Sequence, residues 1–203
     1  KLSAQTQRTF SAEDEVKWNQ SINRSLTRLG TTSLDGLLLH NTNDLQKQGS
    51  EYLFKWLRNL RERGIVRRLG VSIYSGKDLD IVPHDLVDLV QLPLSIYDQR
   101  LLKDGTIDRL KSQGCDIHAR SIYLQGLLLN SSSNWPKWIP TSAKEHHAQL
   151  EKLATERCCT LLDCSLGFAS EQHNIEAIVI GLCSIHELNE LTQAWNKKSP
   201  FNN

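Results

Sequence analysis

Apolar and polar positions along this chain switch repeatedly between a helical and a strand period. Val16, Ile22, Leu26 and Leu29 follow a Ser11-Ala12-Glu13-Asp14 capping-box start at helical spacing, and Gly30 is a natural C′ stop. Leu34–Leu39 is a short apolar run that ends at His40, the length of a strand buried on both sides. Asn41–Gln48 reads as a polar loop. Leu53, Phe54, Leu57 and Leu60 form the next helical stripe, closed by Gly64. Val66–Ile73 is a second strand and Ser75–Val82 a short helix. Pro83 marks the break before a third strand, Leu86–Leu92.

The second half repeats the alternation. Leu94–Lys103 reads as a loop, Ile107 and Leu110 as a short helix, and Asp116–Ser121 as a strand. Leu128–Thr141 carries Trp135, Pro136, Trp138 and Pro140, and its length and prolines predict an irregular connection. Ser142–Glu156 predicts an amphipathic helix with Leu150 and Leu153 inward, and Leu161–Ala169 a buried helix. Ala177–Ile180 is a last, β-branched strand. Ser184-Ile185-His186-Glu187 is a second capping box, followed by Leu188, Leu191 and Trp195 on one face; the tail Asn196–Asn203 is polar and expected to fray.

Strands separated by helices require crossover connections and therefore a parallel sheet. His40 to Ser72 and Gln91 to Ser121 are each close to the ~30 residues of one β-α-β step. An open doubly wound sheet and a closed barrel both satisfy this pattern. No G-x-G-x-x-G follows the first strand, which counts against a Rossmann domain.

The chain has 203 residues, enough for one domain with a real core, and a net charge of +1. That balance points to no nucleic-acid or membrane partner. No apolar run approaches the roughly 18 residues of a membrane span. KLSAQTQRTF lacks the apolar centre of a signal peptide. A cytoplasmic location is expected. Cys115, Cys158, Cys159, Cys164 and Cys183 are odd in number and form no C-x-x-C, so they read as structural thiols, neither a disulfide scaffold nor a zinc site. His146-His147 lies in a polar stretch, and both side chains are expected in solvent. The chain neither starts with Met nor contains one, as in a piece of a longer polypeptide or a sequence lacking some positions.

Five segments carry a resemblance, in order and over nearly the whole chain. SLTRLGTTSLDGLLLH resembles the signature around the fourth strand of the aldo-keto reductases, and LRERGIVRRLGVSIYS their fifth-strand signature. VQLPLSIYDQRLL, ARSIYLQGLLL and AIVIGLCSIHELNEL are similar to the sixth-, seventh- and eighth-strand regions. The resemblance implies a (β/α)8 TIM barrel. This chain would cover roughly strands 4 to 8 and the end of strand 3, a single domain over 1–203 forming the C-terminal portion of the barrel. NADPH or NADH would lie across the carboxyl ends of the strands.

The family's catalytic set is Asp, Tyr, Lys and His. His40 matches the His, and Lys1, followed by Leu2, the Lys of a T-K-L strand end. The Asp and Tyr would come from strands before residue 1. The four types belong together chemically. A carbonyl oxygen gains negative charge as hydride reaches carbon, and needs a proton donor and fixed polar groups. Tyr has an ordinary pKa of about 10, which a nearby Lys cation brings down.

Ser72 and Gln91 match the family's contacts to the nicotinamide amide. Ser121 and Arg120 stand at the nicotinamide face, where Arg120 replaces a common aromatic ring and Tyr123 offers another. Gly181 and the helix capped by Ser184 form a strand–Gly–helix start suited to a phosphate. Ile73 replaces a common Asn. Cys183 stands where many members place an Arg for the adenosine 2′-phosphate, and Glu187 and Leu191 replace Gln and Asn, so the choice between NADPH and NADH stays open.

The resemblance implies an NAD(P)-dependent oxidoreductase acting on an aldehyde or ketone. The ARSIYLQGLLL form is similar to members linked with polysaccharide or nucleotide-sugar pathways, which suggests a sugar-like substrate. Trp135 and Trp138 would either stack on it or pack. The alternatives are a catalytically impaired nucleotide-binding regulatory module of the same fold, or an inert fragment. Five or six strands of an eight-strand ring leave two open edges, so upstream strands or a partner should complete it. The sequence leaves the oligomeric state undecided.

Overall fold

The computed structural model describes residues 1–2 and 9–197, which divide into two compact units. The expected fraying of the tail falls on residues 198–203, outside the described residues.

The first unit, Lys1–Leu92 with Asp104–Ile117, starts with helix α1, Ala12–Leu29. Its Ser11 cap and Asp14 bond reciprocally, and Gly30 ends it in the left-handed region at φ 64°. The buried side of α1 carries Asp14, Trp18 and Ile22, whereas Val16 and Leu29 are exposed. The expected stripe was therefore rotated: the bulkiest ring, Trp18, sets the inward face by packing on Phe10 and Trp56 at 5.3 and 5.4 Å.

Strand β1, Leu34–Leu39, leads through a short 3-10 turn, Thr42–Gln46, to α2, Ser50–Glu62. The polar segment after His40 is thus partly regular, with Asp44 buried and paired to Lys47 at 2.6 Å. Strand β2, Val66–Ser72, pairs in parallel with β1, and β3, Leu89–Pro93, with β2. The third strand starts three residues later than the apolar run predicts, because His84–Leu86 is a 3-10 turn. Gly76–Leu79, expected as a helix, is likewise a 3-10 turn.

Gly70 explains how closely β2 and β3 sit. A Cβ there would lie 1.8 Å from the carbonyl oxygen of Leu89. Helix α4, Thr106–Ser112, then leads into β4, Asp116–Arg120, whose Asp116 N–H donates to the Asp88 carbonyl at 3.0 Å. At the starting ends of the strands Arg68 joins the carboxylates of Asp35 and Asp116.

The second unit, Pro93–Lys103 with His118–Asn203, contains the single helical turn α3, Arg100–Lys103, inside the segment expected as a loop. β4 pairs in parallel with β5, Ala177–Val179. Between them lie α5, Thr141–Glu156, and α6, Leu161–Ser170. The Leu128–Thr141 connection is irregular apart from 3-10 turns at Leu127–Leu129 and Ser132–Asn134. Helix α7, Ile185–Trp195, follows β5. The face that carries Leu188, Leu191 and Trp195 is largely exposed: Leu188 and Trp195 face outward, Leu191 is half-buried and Ala194 is buried. Ile122, Leu166, Ala169 and Ala194 form the core of this unit, with Ile178, Ile180 and Leu191 against it. No helix among the described residues is long and apolar enough to cross a membrane.

Candidate functional site

In the first unit Lys1, His40 and Ser72 lie at strand ends, and Gln91, in the middle of β3, is level with the end of β2. Leu2 runs parallel to Leu39 as an added bridge beside β1. Its N–H donates to the Leu38 carbonyl at 2.8 Å, and its carbonyl accepts from the His40 N–H at 2.9 Å. Lys1 and His40 therefore stand at the same strand end, 39 positions apart in sequence. His40 is exposed, one residue beyond the buried Leu39. Lys1 Nζ donates to Ser72 Oγ at 3.0 Å.

Ser72 is the direct register partner of Gln91 across β2 and β3. Both are buried, at 4 % and 6 % exposure. The Gln91 backbone carbonyl accepts from Ile73 N–H at 2.9 Å. Among the described residues its carboxamide takes no hydrogen-bond partner, which leaves it available to a ligand. A cation, a hydroxyl and an unengaged amide thus gather at or level with the ends of neighbouring strands, a set able to hold a planar amide and a developing oxyanion.

The second unit, described by itself, contains a cavity of about 420 Å³ lined by Ser121, Tyr123, Gly181, Cys183, Glu187 and Leu191, among others. Ser121 follows β4 with φ 61°, and Leu124 and Gln125 are also left-handed, at 47° and 57°. Three non-glycine residues in this region within five positions store backbone strain, which concentrates at functional sites. Arg120 Nη1 donates to Ser121 Oγ at 3.3 Å. The Tyr123 hydroxyl is buried without a hydrogen-bond partner among the described residues, and burial pushes its pKa up to about 12. Gly181 borders open space where a Cβ would touch nothing.

Ser184 caps α7, accepting from Glu187 N–H at 3.1 Å. The expected reciprocal bond is displaced: the Glu187 carboxylate accepts from Cys183 N–H at 2.7 Å, one residue ahead of the cap. One backbone donor at this helix start is therefore already satisfied by an internal anion. Cys183 and Leu191 give the cavity wall a thiol and an apolar side chain where the resemblance implies an Arg and an Asn.

His147 corrects a sequence expectation. It is fully buried, not solvated. Its Nδ1 and the Tyr97 hydroxyl are 2.9 Å apart, its Nε2 lies 3.0 Å from the Asn130 carbonyl, and its ring stacks on Trp135 at 4.4 Å. Burial pushes the Tyr97 hydroxyl up to about 12. Trp135 is itself buried, its Nε1 donating to the Leu127 carbonyl at 2.9 Å, while Trp138 is 80 % exposed. Of the two rings only Trp138 can reach a ligand. The polar run around His146-His147 hid this cluster, because its partners come from the distant Tyr97 and from the proline-rich connection. His146 does remain exposed. Leu153, expected inward on the same helix, is exposed, and Ala154 is buried instead. No group of three or more His, Cys, Asp or Glu among the described residues is placed to hold a metal ion.

Comparison with known proteins gives the same outline. The family model described as "Aldo/keto reductase family" matches residues 5–202. An aldo-keto reductase from Bacillus halodurans in its apo form shares 19 % identity at a TM-score of 0.72, over 91 % of this chain and 64 % of its own. Its holo form gives 20 % and 0.70, over 91 % and 60 %. The glycerol dehydrogenase from Gluconobacter oxydans shares 19 % at 0.59, over 93 % and 66 %. The chain thus spans less than two thirds of the length of these structures. A search of curated proteins found no match. With the parallel strands, the residues at their ends and a family match over almost its full length, this chain belongs to the aldo/keto reductase family.

Proposed function

We propose that the protein is an NAD(P)H-dependent oxidoreductase acting on an aldehyde or ketone, and that the chain forms strands 4 to 8 and the end of strand 3 of a (β/α)8 barrel. The observation that carries the reading is the gathering of Lys1, His40, Ser72 and Gln91 at, or level with, adjoining strand ends. The barrel reading has its own support. Among the described residues β5 pairs only with β4, and a cleft of about 640 Å³ lined by Ile175, Ala177, Ile178 and Trp195 lies beside it. An open edge with an apolar flank is what a further strand covers.

The residues fit a nicotinamide dinucleotide. Gln91 and Ser72 would offer a carboxamide and a hydroxyl to the nicotinamide amide. Within the second unit, the resemblance would give Ser121 and Arg120 a place at the cofactor. Gly181, on the cavity wall, and the helix capped by Ser184 would hold a phosphate of the dinucleotide. When bound, the reduced nicotinamide supplies a hydride to the carbonyl carbon. His40 donates to the carbonyl oxygen and orients it, and Lys1 stabilises the negative charge that develops there. The exposed position of His40 leaves its ring accessible to a substrate. The substrate is a small carbonyl compound of sugar-like character, for which Trp138 provides an exposed stacking face. A cytoplasmic location and function without a nucleic-acid or membrane partner complete the reading.

Fluorescence titration with NADH and NADPH, followed by carbonyl-dependent loss of nicotinamide absorbance over an aldehyde and ketone panel, tests it. Saturable binding of one nucleotide with turnover supports the proposal. Binding without turnover on any carbonyl points to the regulatory module, and binding of neither nucleotide rejects the cofactor assignments.

A further inference from the structure

We propose that Cys159 and Cys164 form a redox-modification site, a paired dithiol that a hydroperoxide converts to an intramolecular disulfide. The pair is built by the start of helix α6. Thr160 is the cap: its Oγ1 accepts from Asp163 N–H at 3.1 Å, and the Asp163 carboxylate accepts from Thr160 N–H at 2.8 Å. Lys197 adds an ion pair to Asp163 at 3.1 Å. A capping box of this kind holds the residue before the cap against the fourth residue of the helix, positions that usually carry two apolar side chains in contact. Here both are cysteines. Their sulfurs are 3.6 Å apart, and Cys159 N–H is tied to the Ala154 carbonyl at 2.9 Å.

The two thiols differ in environment. Cys159 is half-buried and Cys164 is buried at 1 % exposure. Burial and the neighbouring Cys159 push the Cys164 thiol up to about 12, so it keeps its proton. Cys159, the more exposed of the two, is the sulfur that meets an oxidant. Its thiolate attacks the outer oxygen of the hydroperoxide, the O–O bond breaks, and the other oxygen leaves as an alcohol or water. Cys159 becomes a sulfenic acid. The Cys164 sulfur then displaces that oxygen: an S–S bond forms, the S–O bond breaks, and the Cys164 proton leaves with the hydroxyl as water. Two thiols lose two electrons and one peroxide gains them. Cys158 is exposed and adjacent, and it is the obvious competitor.

Treatment of the protein with hydrogen peroxide, followed by intact-mass and peptide mapping under non-reducing conditions, tests this. The expected result is a loss of about 2 Da, reversed by dithiothreitol. Chymotryptic cleavage after Leu161 or Leu162 then opens the ring and leaves two peptides joined through Cys159 and Cys164. The variants Cys158→Ser and Cys183→Ser keep the 2 Da loss. In Cys164→Ser it disappears, and a sulfenic acid at Cys159 is trapped by dimedone. Alkylation of both Cys159 and Cys164 at unchanged extent after peroxide, or a linkage through Cys158 or Cys183, overturns the proposal. The wild-type and Cys158→Ser maps decide the matter even if Cys164→Ser fails to fold.

Discussion

Ser72 and Gln91, the last buried polar residues of two neighbouring strands, stand opposite one another in parallel register. Neither is needed by the apolar core around it, and the Gln91 carboxamide gives nothing back to the protein in hydrogen bonds. Gln91→Ala is expected to weaken nicotinamide nucleotide binding by about tenfold, the worth of one or two hydrogen bonds. Its thermal midpoint should change little or rise. Parallel titrations and melting curves check both, and a variant that binds normally would remove Gln91 from the cofactor site.

His40 is expected to act on the reacting oxygen, with little part in stability. His40→Ala should lower kcat by roughly 10²–10³ while leaving nucleotide affinity within about twofold. Steady-state kinetics on the best carbonyl substrate, beside nucleotide titration, separates these effects.

The Glu187 carboxylate sits on the Cys183 N–H, at the wall expected to meet the adenosine ribose. A 2′-phosphate brought there meets a like charge. NADH is therefore expected to bind at least as tightly as NADPH. Glu187→Gln, which keeps an oxygen acceptor for Cys183, should improve NADPH binding by about threefold and leave NADH unchanged. Dissociation constants for both nucleotides measure this directly.

Gly70 permits the close approach of β2 to β3. Gly70→Ala places a methyl group into the Leu89 carbonyl, a backbone atom that cannot turn aside. A loss of about 3 kcal/mol or more is expected on denaturant unfolding. His147→Ala, which leaves Tyr97 and the Asn130 carbonyl without their buried partner, should cost about 2–4 kcal/mol.

Acid should destabilise the fold through its paired carboxylates. Hydrogen bonds from Arg68 and then Arg67 hold Asp35 below the ordinary carboxylate value of 3.8, and Arg58 and Arg100 do the same for Asp85 and Asp98. A lowered folded pKa means that the stability these groups confer is present above pH 3.8. It is lost as pH falls through the lowered values. Unfolding followed between about pH 6 and pH 3 should show a plateau and then a decline at the acid end, and Asp35→Asn should flatten that decline.

The sequence by itself determined the alternation of helices and parallel strands, the capped starts at Ser11 and Ser184, the buried character of α6, and the residues at the strand ends. These follow from local rules: periodicity, cap chemistry and the short length of apolar runs. Only the tertiary structure decided which side chains meet. Lys1 reaches Ser72 across 71 positions, and His147 finds Tyr97 across 50. The Cys159 and Cys164 sulfurs meet because a cap folds the chain back on itself. Which of the apolar residues of α1 and α7 are buried was likewise decided by packing, since a helix shows its apolar residues in sequence but not the surface against which they pack. Hydrophobic pattern fixes what a segment can bury. Packing between distant segments fixes what it does bury, and so which polar groups are left to do chemistry.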